Sequence, residues 1–410
     1  MRYILNFNQN KKTMKQTLTF NPSTISSTAS KINVDAWDES INAFDKKEYR
    51  KAFDEFLNYV NPEFRKKYGN SDGTEFNIPH GSIIVNIKIE EEQLKVTAPF
   101  MALPEKNVIP LLRQVAKMNF NNMNLAQIVL EDGKLHFEYS CPFELTNPWK
   151  IYYMFDEICY TGDKYDDEFE TTFGAKRIYE PEVTPYEAGT IETVYSVIQL
   201  SCDECLNLVK EFEDDRKYGF AWNIIASTLY KVLYYSHAQG QLMNDLNKAV
   251  REHDREDIPL PEIVARSKAF IEKLKAMPKD GLAEDLYYVE TFIPPKRRSN
   301  LQNIQNNFKK TYENVTNAFN AEDYLYCCLM ITYKFYEMYH YNNVQDDVNA
   351  VVVDALKRSS AQPLETAAPI LFKAMEKIMD GDLSVVADFS DYAAQISEGM
   401  KKLMSIFTKK

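Results

Sequence analysis

The chain has 410 residues, 45% hydrophobic and 13% aromatic, long enough for two or three folded domains and too apolar for an intrinsically disordered protein. Forty-eight basic against sixty acidic residues give a net charge of −12. That balance argues against a general nucleic-acid binder, which needs concentrated Lys and Arg, and against adhesion to anionic membranes. No run approaches the ~20 apolar residues of a membrane span. Six cysteines in so long a chain make no disulfide framework, so a reducing, cytoplasmic setting is expected.

Residues 1–34 contain no acidic residue, are rich in Ser, Thr and Asn, and lack the apolar core of a secretory signal. They are expected to form a flexible polar tail, with a targeting address as the other reading. Order should begin at "DAWDESINAFDKKEYRKAFDEFLNYV". There Trp37, Ile41 and Phe44, then Tyr49, Phe53, Phe56 and Val60, fall at helical spacing. The polar "DKK" between them is either a corner between two helices or one turn of a longer helix.

In "GSIIVNIKIEEEQLKVTAPF", Ile83, Val85, Ile87 and Ile89 alternate with polar residues, then Leu94, Val96 and Ala98 follow an acidic turn, the pattern of an antiparallel hairpin. Val108, Leu111, Leu112, Val115 and Met118 form a short helical stripe. A second hairpin turns at Asp132-Gly133, residues that tolerate the positive φ of a two-residue primed turn. A helix then opens near Pro148 and turns Ile151, Met154, Ile158 and Cys159 toward the sheet.

The order α-ββ-α-ββ-α predicts an α+β domain over 35–178, an antiparallel sheet with helices segregated on one side. Residues 179–190 read as a linker with no periodicity, and residues 191–410 as an all-α helical domain. The last four helices are expected near 322–341, 346–358, 365–380 and 383–407. "AFDKKEY" (43–49) and "AFNAEDY" (318–324) echo one another, through coincidence or a shared helix-corner geometry, but two matches are too few for a solenoid.

The segment from Trp37 to about Phe173 resembles the YbjN-like families with a type III secretion chaperone-like fold. The element order carries the resemblance, together with "HGSIIVNIKI", "VTAPFMALP", "LLRQVAKMNF", "LAQIVLEDGKLHFEYSCP" and "DKYDDEF". It covers about a third of the chain. It implies a binder of protein or peptide partners, commonly a homodimer, with no catalytic residues to carry over. The long helical half departs from the small single-domain secretion chaperones.

Candidate chemistry is sparse. Cys202 and Cys205 form a Cys-x-x-Cys pair inside a helical stripe, which reads as core packing or as half of a metal or redox site. Asp163, Asp166, Asp167 and Glu168 cluster without the spacing of a calcium loop. The five histidines (80, 136, 237, 253, 340) are scattered, and no glycine-rich phosphate loop occurs. "PPKRRSN" (294–300) is a basic spot, read as a surface loop or an anion site. Tyr-rich "YKVLYYSH" and "MITYKFYEMYHYNN" suit a core boundary or a partner surface.

The expectation is a non-enzymatic protein-binding or chaperone-like protein without cofactor or metal. Its partner would be a protein, a peptide or a second copy. Phe100, Met101, Pro142 and Phe143, at strand ends, are the candidate partner-binding residues. The alternative is an enzyme of unfamiliar type, with Asp166, Glu168 and a histidine between the two halves.

Overall fold

In the computed structural model, which describes residues 14–23 and 32–384, α1 (Val34–Asp45) and α2 (Tyr49–Val60) form a hairpin. "DKK" is its corner. Lys47 takes φ +63°, and the amides of Lys47 and Glu48 close onto the carbonyls of Phe44 and Ala43 at 2.9 Å, the left-handed ending that satisfies the last carbonyls of a helix. The face α1 buries is Ala36, Ser40 and Ala43, not the expected stripe of Trp37, Ile41 and Phe44, which is half-buried. Small side chains let the helices approach until the Ser40 hydroxyl donates to the Ala52 carbonyl at 2.6 Å, and the large ones are displaced to the flank.

After the short α3 (Phe64–Tyr68) come β1 (Glu75–His80), β2 (Ile83–Glu90), β3 (Gln93–Ala102), α4 (Val108–Asn121), β4 (Gln127–Glu131), β5 (Lys134–Pro142), α5 (Pro148–Glu168) and β6 (Lys176–Arg177). The sheet runs β1-β2-β3-β5-β4, with β6 on the end of β3, and every pairing is antiparallel. The predicted order had two strands before α4, and the structure has three. β1, "EFNIPH", escaped notice because it is short and holds Pro79, which an edge strand accommodates. The Asp132-Gly133 turn is as expected, with φ +48° and +74°.

Inward residues of the strands join Phe53 and Phe56 of α2, Leu111 and Val115 of α4, and Ile151, Met154, Phe155 and Ile158 of α5 in one core. The α5 helix begins as predicted, with Pro148 in its first turn and the Asn147 side chain accepting from the Trp149 amide at 3.0 Å.

Beyond lie β7 (Val183–Pro185), α6 (Ala188–Asp214), α7 (Tyr218–Ser236), α8 (Gly240–His253), α9 (Leu260–Lys275), α10 (Lys279–Ala283), β8 (Tyr287–Val289), β9 (Arg297–Arg298), α11 (Leu301–Asn320), α12 (Tyr324–Tyr341), β10 (Asn342–Asn343), α13 (Asp346–Ser359) and α14 (Leu364–Asp380). The α7 and α12 helices pack on each other, flanked by α6 and α9 on one side and α11 and α14 on the other. Both are buried almost all round, which is why their sequences show no clean polar face. Tyr230, Tyr235, Tyr333, Tyr336 and Tyr339 are therefore core.

The echo between "AFDKKEY" and "AFNAEDY" is shared corner geometry. Glu322 takes φ +58°, and the amides of Glu322 and Asp323 close onto Phe319 and Ala318 at 3.0 and 2.8 Å. A third corner of this kind sits between α6 and α7 at Arg216, φ +57°.

Two expectations about connecting segments are corrected. The 179–190 stretch contains β7, paired with β8, and the start of α6. Residues 14–20, expected within a polar tail, are bound to the helical half, with Met14, Leu18 and Phe20 buried, because their apolar side chains are spaced for an extended strand on a foreign surface. The predicted helix over 383–407 falls almost wholly outside the described residues.

Candidate functional site

The two halves are joined by the segment between α10 and α11, residues 284–300, which runs out of the helical bundle, along the α+β domain, and back. Its β8 strand is held by β7. The Glu290 carbonyl then accepts from the Gly81 amide at 3.1 Å. The Glu290 carboxylate takes the Lys67 ammonium and the Tyr68 hydroxyl, each at 2.5 Å.

Phe292 follows and is 0% exposed. Its ring lies 4.9 Å edge-on from Phe155 and 5.9 Å from Phe64, and with Ile293 it belongs to the core of the α+β domain. Residue 292 thus completes a core whose other members, except Ile293, lie before residue 176.

Beneath this strap sits the acid–histidine pair that sequence reasoning sought elsewhere. The Phe292 amide donates to Nδ1 of buried His80 at 3.0 Å, and His80 Nε2 faces Asp163 Oδ2 at 3.1 Å. Because the amide occupies Nδ1, the ring proton sits on Nε2, toward the carboxylate. Against the lowering by burial, the neighbouring Cys159 and Asp163 pull the His80 pKa up, while the amide on Nδ1 opposes a second proton.

Gly81 makes the arrangement possible. It takes φ +49°, and any β-carbon there would overlap the Asp163 carboxylate. Gly81→Ala should therefore cost about 2–3 kcal/mol, measured as a drop in the urea midpoint. An unchanged midpoint would show that the turn is not constrained by Asp163.

Cys159, His80 and Asp163 are the residue types of a nucleophilic triad. Cys159 is 2% exposed, and burial pushes its thiol up from the ordinary value, away from the thiolate that attacks. The imidazole nitrogen that would act as base is bonded to a main-chain amide. As placed, the cluster fastens the strap.

The strap's basic end meets an aromatic corner. The Arg297 guanidinium lies 5.0 Å from the Tyr153 ring and 6.0 Å from Tyr152, within cation–π range. Trp37 packs edge-on against Trp149 at 4.5 Å and against Tyr59 at 4.8 Å. Trp149 is 50% and Tyr153 41% exposed.

The rest of "PPKRRSN" is tied down. Lys296 donates to the Tyr339 carbonyl at 2.8 Å, its ammonium desolvated enough to lower its pKa to about 8. Arg298 donates to the Val344 carbonyl at 2.8 Å. The reading as a surface loop gives way to a cross-link.

The residues singled out earlier fall as follows. Phe100, Met101 and Phe143 are buried and reach no surface. A bulge between Pro99 and Met101 turns two successive side chains inward. Pro142 is half-buried at the end of β5. Asp166 is buried and takes the Arg177 Nε–H at 3.1 Å, while Glu168 is exposed, so neither meets a histidine through any of these contacts.

Cys202 and Cys205 are buried, with thiols pushed up to about 12 by burial. Among the described residues, no three His, Cys, Asp or Glu side chains are grouped to hold a metal ion, and no helix is long and apolar enough to cross a membrane. Clefts of about 340 and 200 Å³ lie between α13 and α14 and between α11 and α12. Neither is lined by a histidine or a cysteine. No protein-family model and no curated protein matches the chain.

Sequence reasoning missed His80, Phe292 and the Trp37–Trp149 pair as parts of one region. The available signal was the alternation Phe76, Ile78, His80, which places the histidine on the inward side of a strand.

Proposed function

We propose that this is a non-enzymatic protein-binding or chaperone-like protein of the cytoplasm, and that it docks a partner polypeptide on the aromatic corner of α1 and α5. The observation that carries the reading is Trp149 and Tyr153, half-open to solvent on a floor of Trp37 and Tyr59, with Arg297 beside them. Trp, Tyr and Arg are the residue types that dominate binding energy at protein interfaces, because Trp and Tyr combine large area with a polar tip and little rotamer freedom to lose, and Arg adds a planar fork of donors that stacks on aromatic faces. The resemblance of residues 37–173 to YbjN-like and secretion chaperone-like domains, which bind proteins or peptides, supports the same reading. So does the His80 cluster, whose groups are spent on structure.

The test compares full-length wild type with the Trp149→Ser, Tyr153→Ser double variant in affinity capture from native lysate. The wild type should retain a defined protein that the variant loses by at least about tenfold, while both give the same circular dichroism. Identical capture by both chains, or none by the wild type, would remove this docking face.

A further inference from the structure

Residues 14–20 are held by the helical half as a peptide is held by its receptor. The chain there is extended and forms an antiparallel bridge between Gln16 and Pro363, at the turn from α13 to α14. The Thr17 amide donates to the Gln362 carbonyl at 2.9 Å, and the Leu364 amide donates to the Lys15 carbonyl at 3.3 Å. The Thr17 hydroxyl donates to the Ser359 carbonyl, and the Phe20 amide donates to Ser360 Oγ at 2.9 Å.

At Thr19 the recognition is charged. Glu204 of α6 accepts from the Thr19 amide at 2.9 Å and from its hydroxyl at 3.0 Å. The ammonium of Lys231, on α7, donates to the same hydroxyl at 3.0 Å. Lys231 is a buried cation, and Glu204 lies 3.5 Å from it. A charge removed from water is costly unless partnered, and here one partner is the incoming threonine. Met14, Leu18 and Phe20 fill apolar sites, with Phe20 6.4 Å from the Tyr234 ring.

Every one of these partners, Glu204, Lys231, Tyr234 and residues 359–364, belongs to the helical half. The chain re-enters at the other half, where the Asn33 amide meets the Tyr59 carbonyl at 2.9 Å. The segment is thus a separable strand, joined to its next neighbour in sequence only through residues 24–31.

We propose that the groove between α6, α7 and the α13–α14 turn is a peptide-binding site for an extended apolar–Thr–apolar segment, filled within one chain by residues 14–20, and that a second copy of this chain supplies the same segment in exchange. A strand that makes all its contacts with another unit through backbone and side-chain bonds makes them equally well from a neighbouring copy. This inference does not depend on the aromatic corner.

The test uses the full-length chain with Leu18→Asp and Phe20→Asp, which empties the groove without altering it. The probe is a labelled synthetic peptide of residues 12–22. It should bind the double variant and bind wild type at least about tenfold more weakly, because wild type holds its own segment. A Thr19→Val peptide should bind about tenfold more weakly than the natural one, having lost the hydroxyl shared by Glu204 and Lys231. Wild type at rising concentration should show a dimer by light scattering that the double variant, with no segment to exchange, lacks.

If the double variant is unfolded alone, excess peptide should restore its helical circular dichroism. A folded double variant that ignores the peptide, or an unfolded one that the peptide does not rescue, would overturn the site. Peptide binding by the double variant without a wild-type dimer would overturn exchange between copies.

Discussion

Phe292→Ala should lower the unfolding free energy by about 3–5 kcal/mol, the range for emptying a large buried aromatic site. The ring is fully enclosed between Phe64 and Phe155, so little around it is free to collapse into the space. The loss should appear in the α+β domain although the mutated residue lies more than a hundred positions beyond that domain's last strand. Urea unfolding in a Trp222→Phe background, where the remaining Trp37 and Trp149 both lie in that domain, would report it by fluorescence. Phe292→Leu, which keeps most of the volume, should recover about half. A change below about 1 kcal/mol for the alanine variant would mean that the strap is an ornament on a domain already complete.

Acid should weaken the helical half before its carboxylates titrate. His253 is buried, with Nδ1 2.7 Å from the Ser267 hydroxyl and Nε2 2.9 Å from the Trp222 carbonyl, and its ring stacks on Trp222 at 4.9 Å. Burial lowers its pKa to about 4 against the 6.5 of a free histidine. Below pH 6.5 the unfolded chain takes up a proton that the folded chain refuses, so stability is full above 6.5 and declines as pH falls toward 4.

For this one group the loss between pH 7 and 4.5 is about 2–3 kcal/mol. His237 and His340, lowered to about 4 by burial and by the charge of Lys296, add to it. His253→Gln should flatten the slope of stability against pH in this window. An undiminished slope in that variant would place the acid sensitivity elsewhere.

Much of the fold could be read from local patterns. Asp132-Gly133 announces its turn through backbone conformation alone, and Pro148 with Ile151, Met154 and Ile158 announces a helix with one buried side. The α+β-then-helical architecture follows from such segments in order. What escaped was held by distant partners. β1 is short and contains Pro79, so its alternation was too brief to stand out.

Met14, Leu18 and Phe20 share one side of an extended strand, but polar Gln16 interrupts the alternation, and the burial depends on Glu204, Lys231 and the α13–α14 turn standing opposite them. The His80 cluster joins positions 80, 163 and 292, and one of its two bonds comes from a main-chain amide, which no residue type reveals. Phe100 and Met101 looked like strand-end residues, and a bulge invisible in the pattern turned both inward.

The excursion of residues 284–300 has a consequence for how this polypeptide is divided. A fragment ending near 178 would leave a vacancy the size of a benzyl group where the distant ring belongs, and one beginning near 188 would carry that ring with nowhere to put it. The two halves are therefore a single folding unit. An insertion of even one residue between Glu290 and Phe292 would shift the register on both sides at once, so length in that stretch should tolerate less change than its position between two helices suggests.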